Sequence, residues 1–196
     1  MAMTRADKSR LLYALGLLLA GGIGLAGGWY FSFRPSAMIV IALLVFIPGR
    51  VPALLWPEFY AGQRALQLGD RERARASFIA FVEKVRARSW LKRLMYVKWG
   101  IHTRDIEAMS LNNIGTTFAE KGELQQAVGW YEATLAVDPD YGVAYANLAV
   151  IGYACGDEAE ATRLLNFAHA RGNQNLTRVA ARERGAILRS MADLAG

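Results

Sequence analysis

Cysteine and histidine are nearly missing from this 196-residue chain, which contains one cysteine and two histidines. The single cysteine, Cys155, excludes an intramolecular disulfide and a cysteine-based metal cluster, and we predict it to be a small core residue of a helix. His102 and His169 lie in different segments, and neither has a second metal ligand at a useful spacing. The sequence also lacks a phosphate-binding loop and a dinucleotide fingerprint. We therefore predict a protein that is not an enzyme and uses no metal, cofactor or small-molecule substrate.

Charged residues are absent from residues 11–33, directly after a start that contains Arg5, Lys8 and Arg10. At about 1.5 Å per residue, a helix of this length crosses a hydrocarbon core of about 30 Å. Trp29 and Tyr30 near its end suit the membrane interface. We predict a transmembrane helix here. The alternative is a cleaved signal peptide, but the apolar stretch exceeds the usual core of about 7–15 residues.

Small residues recur at every fourth position of this predicted helix, at Gly16, Ala20, Gly24 and Gly28. Such a strip lets a second helix approach closely, so we predict a helix–helix packing surface. The alternative is that glycine is simply frequent in membrane helices.

A second apolar segment follows at about 35–56 and contains an unbroken apolar run over 37–47. One interpretation is a kinked helix that crosses back and completes a transmembrane hairpin, and the other is a shallow or re-entrant element. Basic residues flank the pair on both sides, which favours cytosolic chain ends. We predict a lipid-embedded anchor over 1–56, in a membrane of the bacterial inner-membrane type, with the rest of the chain facing the cytosol.

One pattern of side chains occurs twice between residues 108 and 175, with a period of 34 residues. The first copy contains Leu111, Asn113, Ile114, Gly115, Phe118, Gly122, Ala127 and Tyr131. The second contains Tyr145, Asn147, Leu148, Ala149, Gly152, Gly156, Ala161 and Leu165. This pattern resembles the tetratricopeptide-repeat family over 108–141 and 142–175. The resemblance implies a short α-solenoid that binds protein partners, and it implies no reaction.

The repeated small residues have a physical explanation. Gly115 and Ala149 fall where the two helices of a repeat cross, and Ala127 allows the second helix to pack closely. Gly122 and Gly156 suit the left-handed turn that ends a first helix. Pro139 ends the first copy, whereas the second copy has no closing proline.

A degenerate copy of the repeat precedes these two copies. Its residues Gly62, Gly69, Ala74 and Phe78 have the same relative spacing as Gly115, Gly122, Ala127 and Tyr131. Asp70 is its predicted helix N-cap. We assign residues 57–107 to this degenerate repeat and to an insertion over 89–107 that is rich in basic and aromatic residues. Three interpretations of the insertion stay open: an extended core helix, a membrane-surface collar, or contact with another partner. The collar residues would be Trp90, Lys92, Arg93 and Trp99, and no nucleic-acid motif accompanies them.

The tail, 176–196, has apolar residues at helical spacing and is predicted to be a helix that caps the array. By position in the family, the resemblance implies that a partner groove would be lined by Met109, Asn112, Thr116, Ala119, Val143, Ala146 and Val150. None of these is Lys or Arg, so capture of a partner's C-terminal carboxylate is not expected.

The sequence therefore predicts an all-α protein with an N-terminal transmembrane hairpin, a short tetratricopeptide-type solenoid and a capping helix. Its predicted function is that of a membrane-anchored scaffold for protein–protein interaction. The alternatives are a structural subunit of one membrane complex, packed through the glycine-rich helix, and an accessory protein of an enzyme.

Overall fold

The computed structural model describes residues 54–92 and 105–195, together with the isolated helical positions 19 and 22. Within them lie seven complete helices and no strand, which confirms the all-α prediction. The helices are α1 (Pro57–Gln67), α2 (Arg71–Ala87), α3 (Ile106–Ala119), α4 (Leu124–Val137), α5 (Gly142–Cys155), α6 (Glu158–Ala170) and α7 (Arg178–Ala195).

The predicted membrane anchor lies almost entirely outside this part of the chain. Among the described residues, no helix combines the length and the apolar character that a membrane crossing requires. The predicted helix 11–33 falls outside them apart from its two isolated positions, and so does the second segment up to residue 53. The packing residues Gly16, Ala20, Gly24 and Gly28 also lie outside the described residues.

Local sequence signals set several helix boundaries. The Asp70 carboxylate accepts a hydrogen bond from the Arg73 backbone N–H at 3.1 Å, which confirms the predicted N-cap of α2. Gly122 follows α3 with a backbone φ of 81°, and Gly156 follows α5 with a φ of 84°. Both values lie in the left-handed region, where a side chain is strained. Helix α5 therefore ends at the predicted Gly156, whereas α3 ends at Ala119 and Gly122 lies in the turn that follows it.

Helices α1 to α6 form three pairs of consecutive helices, α1 with α2, α3 with α4 and α5 with α6. The pairs stack in chain order and give a solenoid-like array. The same contact recurs where the two helices of a pair cross. A Cβ on Gly62 would lie 2.8 Å from the Phe78 ring, and a Cβ on Gly115 would lie 2.7 Å from the Tyr131 ring. In the third pair the equivalent positions are Ala149 and Leu165. The larger residue in the first helix is thus matched by a smaller one in the second helix. The predicted small positions in the second helices are fully buried, at Ala74, Ala127 and Ala161.

Trp56 belongs to the core of the array, although the sequence analysis placed it at the end of the membrane part. Its side chain is fully buried. The ring centroid lies 6.1 Å from that of Phe81 and 6.4 Å from that of Phe59, in edge-to-face arrangements. The folded array thus begins at or before residue 56.

The C-terminal helix α7 is confirmed as a helix, but only its first part closes the end of the array. Leu176 and Ala181 are buried in the core of the third pair. The helix then packs mainly against α5 rather than continuing the stack on α6. Its buried residues are the small Ala181 and Gly185, and Leu188 is partly buried against the core of the array, whereas Ile187 and Leu194 are exposed.

The prediction that Cys155 is a core residue is wrong. The thiol-bearing side chain is exposed at the last position of α5, immediately before the left-handed Gly156. Its neighbours Tyr153 and Ala154 are buried instead, because α7 packs against that side of α5.

Candidate protein-binding face

Partly exposed side chains of α3 and α5 form a common surface that we term the first-helix face. It comprises Met109, Asn113, Thr116, Val143 and Asn147. Met109 and Val143 occupy equivalent positions of successive pairs, and so do the two asparagines. The face therefore repeats an apolar residue followed, one helical turn later, by an amide.

A hydrogen bond between two asparagines joins α3 to α5. The Asn147 side-chain Nδ2 donates to the Oδ1 of Asn112 at 3.0 Å. Asn112 is buried, so its carbonyl oxygen would otherwise be left without a partner in the interior. This bond fixes the relative position of the two helices that carry the first-helix face.

The equivalent bond is missing one pair earlier. Asn113 corresponds to Asn147, but the position of α1 that corresponds to Asn112 is Phe59, which offers no carbonyl. Among the described residues the Nδ2 of Asn113 is buried and has no hydrogen-bond partner. The second pair thus contains a buried amide donor without a hydrogen-bond partner, which lowers the stability of the folded protein.

The seven predicted groove residues divide into two sets. Met109, Thr116 and Val143 are partly exposed, as the prediction required. The other four are buried, namely Asn112, Ala119, Ala146 and Val150. They offer almost no surface because they face the interior of the array or, at the end of α5, lie beneath α7. The exposed face is consequently narrower than the sequence predicted.

The face is electrically neutral along most of its length. The hydroxyl of Thr116 lies 3.3 Å from that of Tyr131. Burial raises the pKa of Tyr131 to about 12, so this phenol stays protonated at neutral pH. Glu120 at the end of α3 forms an ion pair with Arg71 at 2.8 Å. The arrangement suits contact with apolar and amide groups rather than with an ionised group.

Of the four predicted collar residues, the structure describes Trp90 and Lys92. Trp90 is half exposed, whereas its neighbour Leu91 is buried in the core. Lys92 is held by acidic groups of the chain itself, with its Nζ 3.2 Å from Asp105 and 2.5 Å from Glu107. Arg93 and Trp99 lie outside the described residues. Lys92 is therefore ion-paired within the chain, and the membrane-surface collar stays a prediction.

Glu107 organises this region, although the sequence analysis gave it no role. Its buried carboxylate accepts from Arg86 Nε at 2.7 Å and pairs with Lys92. It thereby ties the end of α2, the turn at 89–92 and the start of α3 together. The signal in the sequence is weak, because Arg86 lies far from Glu107 along the chain and either residue suits an exposed helix position.

Acidification is expected to remove the contribution of Glu107 to stability. Burial by itself would raise the pKa of the carboxyl, but hydrogen bonds from Lys92 and Arg86 and their charges outweigh it and lower the pKa. Its stabilisation is present above the unfolded-state pKa of about 4.3 and is lost as the pH falls through the lower folded-state value. At pH 7, Glu107→Gln is expected to destabilise the fold by about 1–3 kcal/mol.

Urea unfolding of both proteins across the acidic range tests this expectation. The difference between wild type and Glu107→Gln should shrink as the pH falls, because the wild type loses the same charge. The exposed Glu132→Gln is the control, with an expected change within about 0.5 kcal/mol. A pH-independent difference would contradict the assignment.

Within residues 54–92 and 105–195 no three His, Cys, Asp or Glu side chains gather as a metal ion would require. Comparisons of this chain with models of known families, with curated proteins and with solved structures gave no match.

Proposed function

We propose that this chain is a membrane-anchored scaffold of the tetratricopeptide-repeat type that binds a protein partner through the first-helix face. The observation that carries the proposal is the alternation of apolar and amide side chains on successive first helices, at Met109, Asn113, Val143 and Asn147. Apolar residues supply contact area, and amides bind backbone groups of a peptide in either orientation.

Three properties of the array support this proposal. The pairs share one crossing geometry, with Gly62 and Gly115 each facing an aromatic ring, as expected of repeats. The asparagine bond between α3 and α5 holds the face rigid, which lowers the entropy lost on binding. The side chains of Asn113 and Asn147 are both partly exposed, so each amide offers polar surface to a partner.

Membrane attachment is proposed from the sequence of residues 1–56 and places the array beside a bilayer. The flanking Lys and Arg favour an orientation with the array in the cytosol of a bacterial-type cell. Protease added to right-side-out vesicles should then leave the array intact, and its digestion would contradict that orientation.

A single capture experiment tests both parts of the proposal. The full chain, tagged at its C-terminus, is expected to remain in carbonate-washed membranes and to retain a partner after solubilisation in detergent. Val143→Arg and Met109→Arg place a charge on the first-helix face, and each is expected to weaken retention by at least about tenfold. Gln125→Arg adds the same charge to an exposed position of α4 and is the matched control.

The outcomes separate the candidate functions. Loss of the partner with both face variants but not with Gln125→Arg supports the scaffold. Loss only with Gly24→Leu, which puts bulk into the small-residue strip, would instead favour a structural subunit held by its membrane helix. Recovery of the chain in the carbonate supernatant would exclude the anchor.

A further inference from the structure

The C-terminal helix α7 crosses the far end of α5 at very short range. A Cβ on Gly185 would lie 2.8 Å from Tyr153 Cβ and 3.0 Å from the Val150 carbonyl oxygen. Beyond this crossing α7 continues back toward the second pair, where a Cβ on Gly122 would lie 2.8 Å from Ala192 Cα. The helix therefore spans two helix pairs instead of adding a further layer to the stack.

This path covers part of the surface that the array would otherwise expose. Thr116 of α3 is partly exposed, but Val150, its equivalent in α5, is buried beneath the Gly185 crossing. Ala146, one turn earlier, is buried in the same cluster as Ala181 of α7. The first-helix face thus stops short at α5 because the chain's own helix lies on it.

The apolar contact that holds α7 in place is small. Only Ala181 and Gly185 of this helix are buried, and Leu188 is partly buried against the core, while Val179, Ile187 and Leu194 are 66%, 54% and 89% exposed. By contrast, α2 buries two phenylalanines and two valines. Since hydrophobic stabilisation scales with the apolar area buried, α7 is held less strongly than the helices of the pairs.

Polar contacts at the edge supply the rest of the attachment. Arg189 donates from Nε to the Ala154 carbonyl oxygen at 2.5 Å and from Nη2 to that of Tyr153 at 3.1 Å. These carbonyls lie at the end of α5, where that of Tyr153 also accepts from the Gly156 backbone N–H at 3.2 Å. Arg182 forms an exposed ion pair with Glu158. A competing helix with a basic residue at the same position could form the same bonds.

We propose that α7 is a displaceable strap that keeps the α5 end of the first-helix face closed, and that a partner helix presenting small residues takes its place. This proposal rests on the proposed function and assigns a regulation to the same face. Displacement frees Val150 and Tyr153 and joins them to the exposed side chains of α3.

Hydrogen exchange on the full-length chain in detergent gives the first test. The amides of α7 are expected to exchange at least about tenfold faster than those of α3 and α5, because α7 opens without the array. Equal protection of α7 and α5 would overturn the proposal, since the two helices would then open only together.

A peptide copy of α7 gives the second test. Gly185→Leu forces a side chain into the crossing and should release α7, whereas Ala186→Leu places a leucine at an exposed neighbouring position. A labelled peptide of residues 174–196 is expected to bind the full-length Gly185→Leu chain at least about tenfold more tightly than the wild type or Ala186→Leu. Arg189→Ala, which adds no bulk, should shift binding in the same direction.

The results decide between a strap and an integral part of the core. Equal peptide binding to all four chains, or loss of protection in α5 and α6 when α7 is released, would overturn the proposal. The peptide is the only ligand used, so this test succeeds or fails independently of whether a natural partner is captured. Failure of the capture experiment with success here would remove the scaffold role and leave the displaceable helix.

Discussion

Trp56→Ala is expected to destabilise the array by about 3–5 kcal/mol, the range for truncation of a fully buried large aromatic side chain. Trp56 is fully buried and meets Phe59 and Phe81 edge to face. Removing the indole leaves a cavity at the N-terminal end of the core, which α1 and α2 fill only partly. Urea unfolding of the detergent-solubilised chain, followed by far-UV circular dichroism, measures the change.

Two further variants make this expectation specific. Trp56→Phe should lose less than half as much stability, because the ring is kept and the Trp56 Nε1, which has no hydrogen-bond partner among the described residues, is removed. Trp90→Ala truncates a tryptophan that is 50% exposed and should change stability by no more than about 0.5 kcal/mol. Equal effects at positions 56 and 90 would show that Trp56 is not part of the core.

Two glycine-to-alanine substitutions in adjacent helices are expected to change the stability of the fold in opposite directions. At Gly115 the new methyl group would lie 2.7 Å from Cε1 of Tyr131, whose ring is buried and has little room to move. Such overpacking destabilises by about 1–3 kcal/mol. At Gly129 no atom lies within 4 Å of the new Cβ, so the higher helix propensity of alanine should stabilise by about 0.5–1 kcal/mol.

The comparison controls for the chemistry of the substitution, since both variants add one methyl group inside a helix. Thermal unfolding midpoints are expected to move in opposite directions. Gly62→Ala should behave like Gly115→Ala, because its Cβ would meet the Phe78 ring at 2.8 Å. Stabilisation by Gly115→Ala would contradict the close crossing of α3 and α4.

The helix pairs were predictable because they depend on local and periodic features. Gly156 ends α5 through its own left-handed backbone conformation, and Asp70 caps α2 by reaching a neighbour three residues away. The spacing of Gly62 and Phe78 in the first pair repeats that of Gly115 and Tyr131 in the second. Such signals remain readable from a single sequence because every member lies within one repeat.

The candidate face was predicted less well, since exposure depends on residues far apart in the chain. Ala146 and Val150 have groove positions in the repeat pattern, yet α7 returns and covers them. Because α7 packs against one side of α5, Tyr153 and Ala154 are buried whereas Cys155 is exposed. The spacing of apolar residues in α7 does not reveal which side of the helix packs. Its larger apolar residues suggest one side, but the side that contains small residues is the one that is buried.

By itself the sequence determined the all-α class, the second and third helix pairs, a few helix ends and the small residues at which paired helices cross. Each of these follows from backbone conformation or from packing within one repeat. Only the tertiary structure decided that Trp56 joins the core, that Glu107 gathers Arg86 and Lys92, and that α7 lies on α5. These are contacts between distant segments, and their free energy depends on three-dimensional positions that the residue types alone do not fix.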